Sequence, residues 1–426
     1  MSDVMRIQPF ATQLARILME YGRNGSIFDI HKALFYTPAP DAPFAVHDLF
    51  GHYLATPVGP SAGPHTQLSQ NIISAYLCGG RFMELKTVQV QDELTIPRPC
   101  IDMTDEGYNV EWSQELTLEQ AAHEYIVAWA ILHILPRLLG WDGQAPDRPA
   151  LPGVIFDMSV GYDFEGITSP RMTRFLDVMA DASAQIAEIT ACLRRQFPRC
   201  ADVDIPTRIV NSVTLSTMHG CPPDEIERIA RYLLDQRGLH TVVKLNPTLL
   251  GRDEVRDIVN RQLGFAEIDI PDAAFDHDLQ YDRAIDLIAA LKRAGAERGL
   301  TFGVKLSNTL ATRNHTGRLP GDETYMSGRA LYPVTMNLYD RLLHAFDGDL
   351  HVSYSAGVDA LNVATVLSCG ALPVTGCTDL LKPGGYTRLT NWLEHIGKAM
   401  RDAGDTSLAG FSRERLTNVG RAAAAS

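Results

Sequence analysis

The chain is poor in the features that mark several broad classes of protein. No stretch approaches the roughly 20 uninterrupted apolar residues of a membrane span; the longest candidate, 125–139, is broken by His133, Pro136 and Arg137. The N-terminus carries no basic-then-apolar leader, so a cytoplasmic enzyme is the default expectation. Basic residues are in deficit: 38 Lys+Arg against 51 Asp+Glu give a formal net charge of −13. Nucleic acid and anionic membrane both need clustered Lys/Arg, and neither is expected as a partner. The seven cysteines form no CxxC or CxxxC pair. An odd number at such spacing argues against a disulfide framework, and no zinc or iron–sulfur spacing occurs. No metal site is expected in this segment.

What remains is ordinary for a globular protein. Of 426 residues, 45% are hydrophobic and 21% charged, enough to bury a large core. At about 150 residues per domain the length suggests two or three domains, but α/β barrels are often larger single units. Residues 1–50 read as a helix over 10–21 followed by a Pro-rich arm. From residue 53 short β-branched runs alternate with helical patterns. Eight strands are predicted at 53–57, 81–88, 153–160, 208–215, 241–246, 301–308, 349–354 and 371–375. Helices are predicted at 68–77, 119–139, 171–195, 224–236, 254–263, 281–298, 334–345 and 360–368. This alternation predicts a (β/α)8 TIM barrel over 51–400. An open doubly wound sheet is the rival, weakened because no GxGxxG follows the first strand. Residues 401–426 are expected as a tail or the start of a further module, because 421–426 looks like a helix cut in mid-pattern.

Barrel chemistry sits at strand C-termini, and several residues there stand out. Ala62 and Gly63 leave the first strand and allow close approach of a flat ligand. Lys86, followed by Thr87, ends the second strand; its bland reading is an ion pair with a neighbouring acid. Lys244 and Lys305 repeat this placement, which suggests an anionic or electron-rich ligand. Asn109, Asn246, Asn308 and Thr309 can donate to and accept from an amide-like substrate. Gly357 after strand seven, and Cys377 and Thr378 after strand eight, occupy loops that often bind phosphate. Ser216 to Cys221 follows strand four, and Cys221 directly precedes a helix start, a position that lowers a thiol pKa. His219 reads as an acid/base or a satisfied polar group. Asp276-His277-Asp278 reads as structural rather than metal-binding, since consecutive residues cannot aim at one ion.

Together these motifs resemble the FMN-binding barrel of dihydroorotate and dihydropyrimidine dehydrogenases. A likeness running through nearly the whole chain is to the N-terminal part of the selenate reductase iron–sulfur/flavin subunits. The resemblance implies an FMN-dependent oxidoreductase passing a hydride between flavin N5 and a small heterocyclic, cyclic-amide-like substrate. It places Ala62 and Gly63 against the flavin, Lys86 and Thr87 at its edge, and Lys244 at the N1/C2 carbonyl, where positive charge stabilises the reduced ring. Gly357, Cys377 and Thr378 match the phosphate loops. Asn109, Asn308 and Thr309 match residues that hold the substrate ring, and Cys221 matches the proton-exchanging cysteine. One departure is Thr214-Leu215-Ser216-Thr217-Met218, where the dehydrogenases carry Asn-Leu-Ser-x-Pro; Ser216 then replaces a substrate-holding Asn. The resemblance also implies [4Fe–4S] clusters, FAD and NAD(P)H chemistry in a longer protein beyond residue 426. Expected partners are the heterocyclic substrate and electron-transfer modules or subunits, with a homodimer left open. Two alternatives stand beside this reading: a Schiff-base aldolase on Lys86 or Lys244, and a flavin-free barrel that docks electron-transfer modules.

Overall fold

A computed structural model describes residues 5–37, 39, 42–91, 99–103, 106–110, 114–141, 152–216 and 220–426. Eight parallel strands form the central sheet. They are β1 (Val58–Pro60), β2 (Phe82–Glu84), β3 (Ile155–Val160), β4 (Val210–Leu215), β5 (His240–Leu245), β6 (Phe302–Leu306), β7 (His351–Tyr354) and β8 (Val374–Gly376). The sheet runs β1-β8-β7-β6-β5-β4-β3-β2. Its two ends meet: the Arg81 N–H donates to the Val58 carbonyl at 2.9 Å. At this seam a Cβ on Gly59 would fall 1.7 Å from the Phe82 carbonyl oxygen, so only glycine lets the strands approach. The architecture is a TIM barrel, as the alternation of patterns predicts.

Strands two to eight lie within a few residues of their predicted places, but the first does not. Residues 46–54 instead form an antiparallel hairpin, Val46–Leu49 with His52–Leu54. Its turn is set by Phe50 (φ +56°) and Gly51 (φ +81°), with the Gly51 N–H donating to Asp48 Oδ1 at 2.9 Å. The hairpin plugs the barrel bottom: Phe50 and Leu54 pack with the inward residues Phe82, Ile155 and Val242. The helix predicted over 171–195 is two helices, Pro170–Ala180 and Ser183–Gln196. Asp181 breaks it by accepting from the Ser183 N–H at 3.0 Å, a local bond that competes with the helix.

The outer ring needs little explanation beyond sequence. The helix Leu118–Leu138 starts on a capping box in which Thr117 and Gln120 bond each other's backbone N–H, and it is buried on almost every side. The helix Phe10–Asn24 docks Phe10, Leu14 and Ile17 into the core. Residues 421–425 lie within a helix, Arg415–Ala425, that starts at Arg415 rather than at 421. That helix lies against Leu331–Ala345 with Val419 fully buried, and Arg388–Ala403 seats Trp392 beneath β8.

The interior is unusual in composition. Barrel cores commonly stack layers of Val, Ile and Leu. Here only the bottom layer is apolar. Midway up, the side chains meeting inside the barrel are Glu84, Asp157, Ser212, Thr214, Lys244, Lys305, Ser353 and Thr375, all buried except Lys244, which is partly so.

Candidate active site

The upper interior opens into a cavity at the C-terminal ends of the strands, with about 1330 Å³ of empty space, open mouth included. It is lined by Ala62, Gly63, Lys86, Thr87, Lys244, Gly357, Cys377 and Thr378, and also by Asn109, Ser216, Asn308 and Thr309. The fold thus brings these twelve residues singled out from sequence into one space. Cys221 is elsewhere: with Asn246 and Asp278 it borders a separate small cavity that shares only the Lys244 wall. Its thiol is not activated either. Burial, with Glu225 and Asp163 nearby, pushes it up to about 12, which overturns the expected lowering. The acids that favour the helix start repel the thiolate. His219 lies outside the described residues.

Two long loops complete the cavity. Parts of 91–113 and 311–326 form a four-stranded antiparallel sheet across the barrel mouth, from Leu310–Arg313, Glu323–Ser327, Gly107–Asn109 and Ile101–Met103. Its inner face adds Ile101, Met103 and Tyr325 to the cavity. Thr378 Oγ1 donates to Ser327 Oγ at 2.8 Å, which ties this roof to the β8 loop.

Each lysine has its own electrostatic setting. Tyr125 OH donates to the Lys86 carbonyl at 3.1 Å and Thr87 Oγ1 bonds Ser159 Oγ at 2.7 Å, fixing the end of β2. Lys86 is buried and forms no ion pair among the described residues, against its bland reading. Burial and the neighbouring Lys244 charge pull its ammonium down to about 8. Lys305 does not line the cavity; it lies beneath it, paired with Glu84 Oε2 at 2.9 Å and donating to Thr375 Oγ1 at 2.8 Å. Burial would raise the Glu84 carboxyl, but Lys305 and Lys244 outweigh it and hold the group below its ordinary value. Asp157 accepts from Ser212 Oγ and Thr214 Oγ1, both at 2.6 Å, and burial raises it to about 7.

The β7 and β8 loops present backbone. Gly357 adopts φ +61°, and a Cβ there would meet the Gly328 carbonyl oxygen at 2.6 Å. Asn362 Nδ2 donates to the Gly357 carbonyl at 2.9 Å and holds the turn. Arg329 and Lys382 also line the cavity. Cys377 Sγ lies 3.7 Å from His65 Nδ1; burial raises the thiol to about 11 and lowers the imidazole to about 4. Both are neutral near pH 7. His65, Glu84, Asp157 and Tyr325 carry no strong sequence signal; only Glu84, a carboxylate inside an apolar run, could have been noticed. Asp278 accepts from the Gly220 N–H at 2.8 Å and from Thr248 Oγ1 at 2.6 Å, while Asp276 pairs with Arg252. The Asp276-His277-Asp278 triplet is structural, and among the described residues no group of His, Cys, Asp and Glu is placed to hold a metal ion.

The family described as "Oxidoreductase YgfK, N-terminal TIM-barrel domain" matches residues 28–425. The chain belongs to this family. YgfK chains of Escherichia coli strain K12 and of Escherichia coli O157:H7, each named as an oxidoreductase, are 46% identical to it over 417 residues. The match covers 93% of this chain and 39% of those relatives, so the chain spans well under half their length. Among solved structures, ligand-free DHODH from Eimeria tenella superposes with a TM-score of 0.54 at 14% identity, over 93% of this chain and 97% of that one. The same enzyme in complex with ferulenol gives 0.55 at 14% identity, over 96% of each. At that identity the likeness is one of fold. This YgfK-type barrel has a DHODH-like architecture. No helix among its described residues is long and apolar enough to cross a membrane.

Proposed function

We infer that the cavity binds FMN and that the barrel passes a hydride between the flavin and a small heterocyclic substrate with amide-like edges. The observation that carries this is the pair Lys86 and Lys244, facing an open cavity with a cationic charge that the described carboxylates do not balance. A reduced, anionic isoalloxazine ring is what such a floor favours, and the DHODH-like fold supports the same group. The residues fit it. Ala62 and Gly63 give backbone room beside Lys86; the Gly357 turn with Cys377, Thr378, Arg329 and Lys382 suits a phosphate.

When bound, the flavin would supply the hydride chemistry. The chain's own residues bind and orient. Asn109, Asn308 and Thr309 offer donors and acceptors to a planar amide edge, and Ser216 stands where a longer Asn would reach further. Tyr325, Ile101 and Met103 cover the cavity with largely apolar surface that helps exclude water. Cys221, in its separate cavity and with its thiol pushed up to about 12, is not placed to donate to a substrate held here, so this reading assigns it no proton-transfer role. In this reading the barrel is the substrate-reducing or -oxidising end of a longer chain, with FAD, NAD(P)H and [4Fe–4S] modules outside residues 1–426.

The test is to add FMN to the flavin-free chain and follow fluorescence quenching. Saturable one-to-one binding, lost in Lys86→Met, is the expected result. A lowered lysine in a barrel also favours a Schiff base. Borohydride trapping of a carbonyl compound on Lys86, without flavin binding, would decide for that second reading.

A further inference from the structure

The buried ion pair beneath the cavity is not explained by stability. Strands β2 and β6 stand on opposite sides of the barrel, so the 2.9 Å contact between Glu84 and Lys305 crosses its interior. Both side chains are almost wholly buried, at 0% and 1% exposure. Taking two charges out of water costs several kcal/mol per ion, and an apolar pair of like volume generally does as well or better. Other barrels fill this layer with Val, Ile and Leu. A pair retained at that cost has work other than holding the fold.

Its geometry points to Lys244. Glu84 is shared: Oε2 faces Lys305 at 2.9 Å, while Oε1 faces Lys244 Nζ at 4.0 Å. Lys305 is itself anchored by Thr375 Oγ1 at 2.8 Å and Ser353 Oγ at 3.3 Å. The carboxylate is therefore held off Lys244, near enough to limit its charge and too far to capture it. Lys244 stays free to reach the cavity floor. Asp157 lies in the same layer, occupied by Ser212 and Thr214.

We propose that Glu84 and Lys305 are a positioning pair that sets how far Lys244 reaches into the cavity and how much positive charge it presents to a bound flavin. The inference rests on the FMN reading above. Removing the carboxylate (Glu84→Gln) releases Lys244 upward. Removing the competitor (Lys305→Met) lets Glu84 draw Lys244 down and neutralise it. The two changes act in opposite directions on the same group, which loss of packing would not do.

The test measures the two-electron midpoint potential of FMN bound to the 426-residue chain and its variants. Glu84→Gln should favour reduced over oxidised flavin by about tenfold, a rise of about 30 mV, and Lys305→Met should do the reverse. Because Lys305 acts on Lys244 only through Glu84, the double variant should keep the Glu84→Gln shift. In a Lys244→Met background both shifts should vanish. Shifts of the same sign, no shift, or shifts that persist without Lys244 would overturn the proposal while leaving FMN binding intact. Failure of the parent chain to bind FMN would overturn the FMN reading, and the proposal with it. If a single variant does not fold, Glu84→Asp and Lys305→Arg keep the charges but move them; an unchanged potential in both would refute the positioning role.

Discussion

Lys86 offers the sharpest conflict between stability and function in this barrel. Burial and the Lys244 charge lower its ammonium from an ordinary 10.5 to about 8. At 1.36 kcal/mol per pKa unit, the folded chain gives up about 3 kcal/mol at pH 7 to keep this group protonated. The sign follows from linkage. The unfolded chain holds this proton up to about 10.5 and the folded chain only to about 8, so stability rises with pH between these values. Lys86→Met, which keeps the stem and removes the charge, should therefore stabilise the ligand-free chain at pH 7 by about 1–3 kcal/mol, the upper figure being the full electrostatic cost. It should also flatten the pH dependence between 8 and 10.5. The same change should weaken FMN binding by at least about tenfold, since a charge-assisted contact is worth about 1.5–3 kcal/mol. Urea unfolding at pH 7 and 9.5, paired with FMN titration, reads both. A variant that is less stable than the parent at pH 7, or that binds FMN equally well, would refute the reasoning.

Other outcomes follow from single sites. Asp157 has its carboxyl raised from 3.8 to about 7, so its contribution to stability falls as pH climbs through that window. Asp157→Asn should remove that fall in a pH series of thermal melts. Gly357→Ala must fit a Cβ at 2.6 Å from the Gly328 carbonyl with φ +61°, and should cost about 1–3 kcal/mol with loss of FMN affinity. Cys221, at about 12, should react slowly with iodoacetamide at pH 8. Cys221→Ala should keep both FMN and substrate turnover, because the thiol borders the separate cavity; loss of turnover would place it at the reacting carbon.

The barrel was legible because seven of its strands fall in apolar or β-branched runs, with periodic helices between them. The first strand was hidden. Val58-Gly59-Pro60 has no alternation, and its place is set by a seam that only glycine can close. The mouth sheet was hidden for a different reason: its strands come from two loops far apart in the chain and pair only in three dimensions. For the site, strand-end position was enough to find the lysines, asparagines and glycines, because a barrel sends such residues to one face. Position along the chain could not say that Cys221 faces a separate cavity, nor that Lys305 is closed off beneath the main one while its register partner Lys244 lines it. Both depend on which way a side chain turns inside the barrel.

The central claim is that the cavity over Lys86 and Lys244 holds FMN. Isothermal titration of the flavin-free chain with FMN, with Lys86→Met and Lys244→Met titrated in parallel, tests it most directly. The account predicts one FMN per chain for the parent and affinity lower by about tenfold or more in each variant. No heat of binding in the parent, or the same affinity in all three, would contradict it.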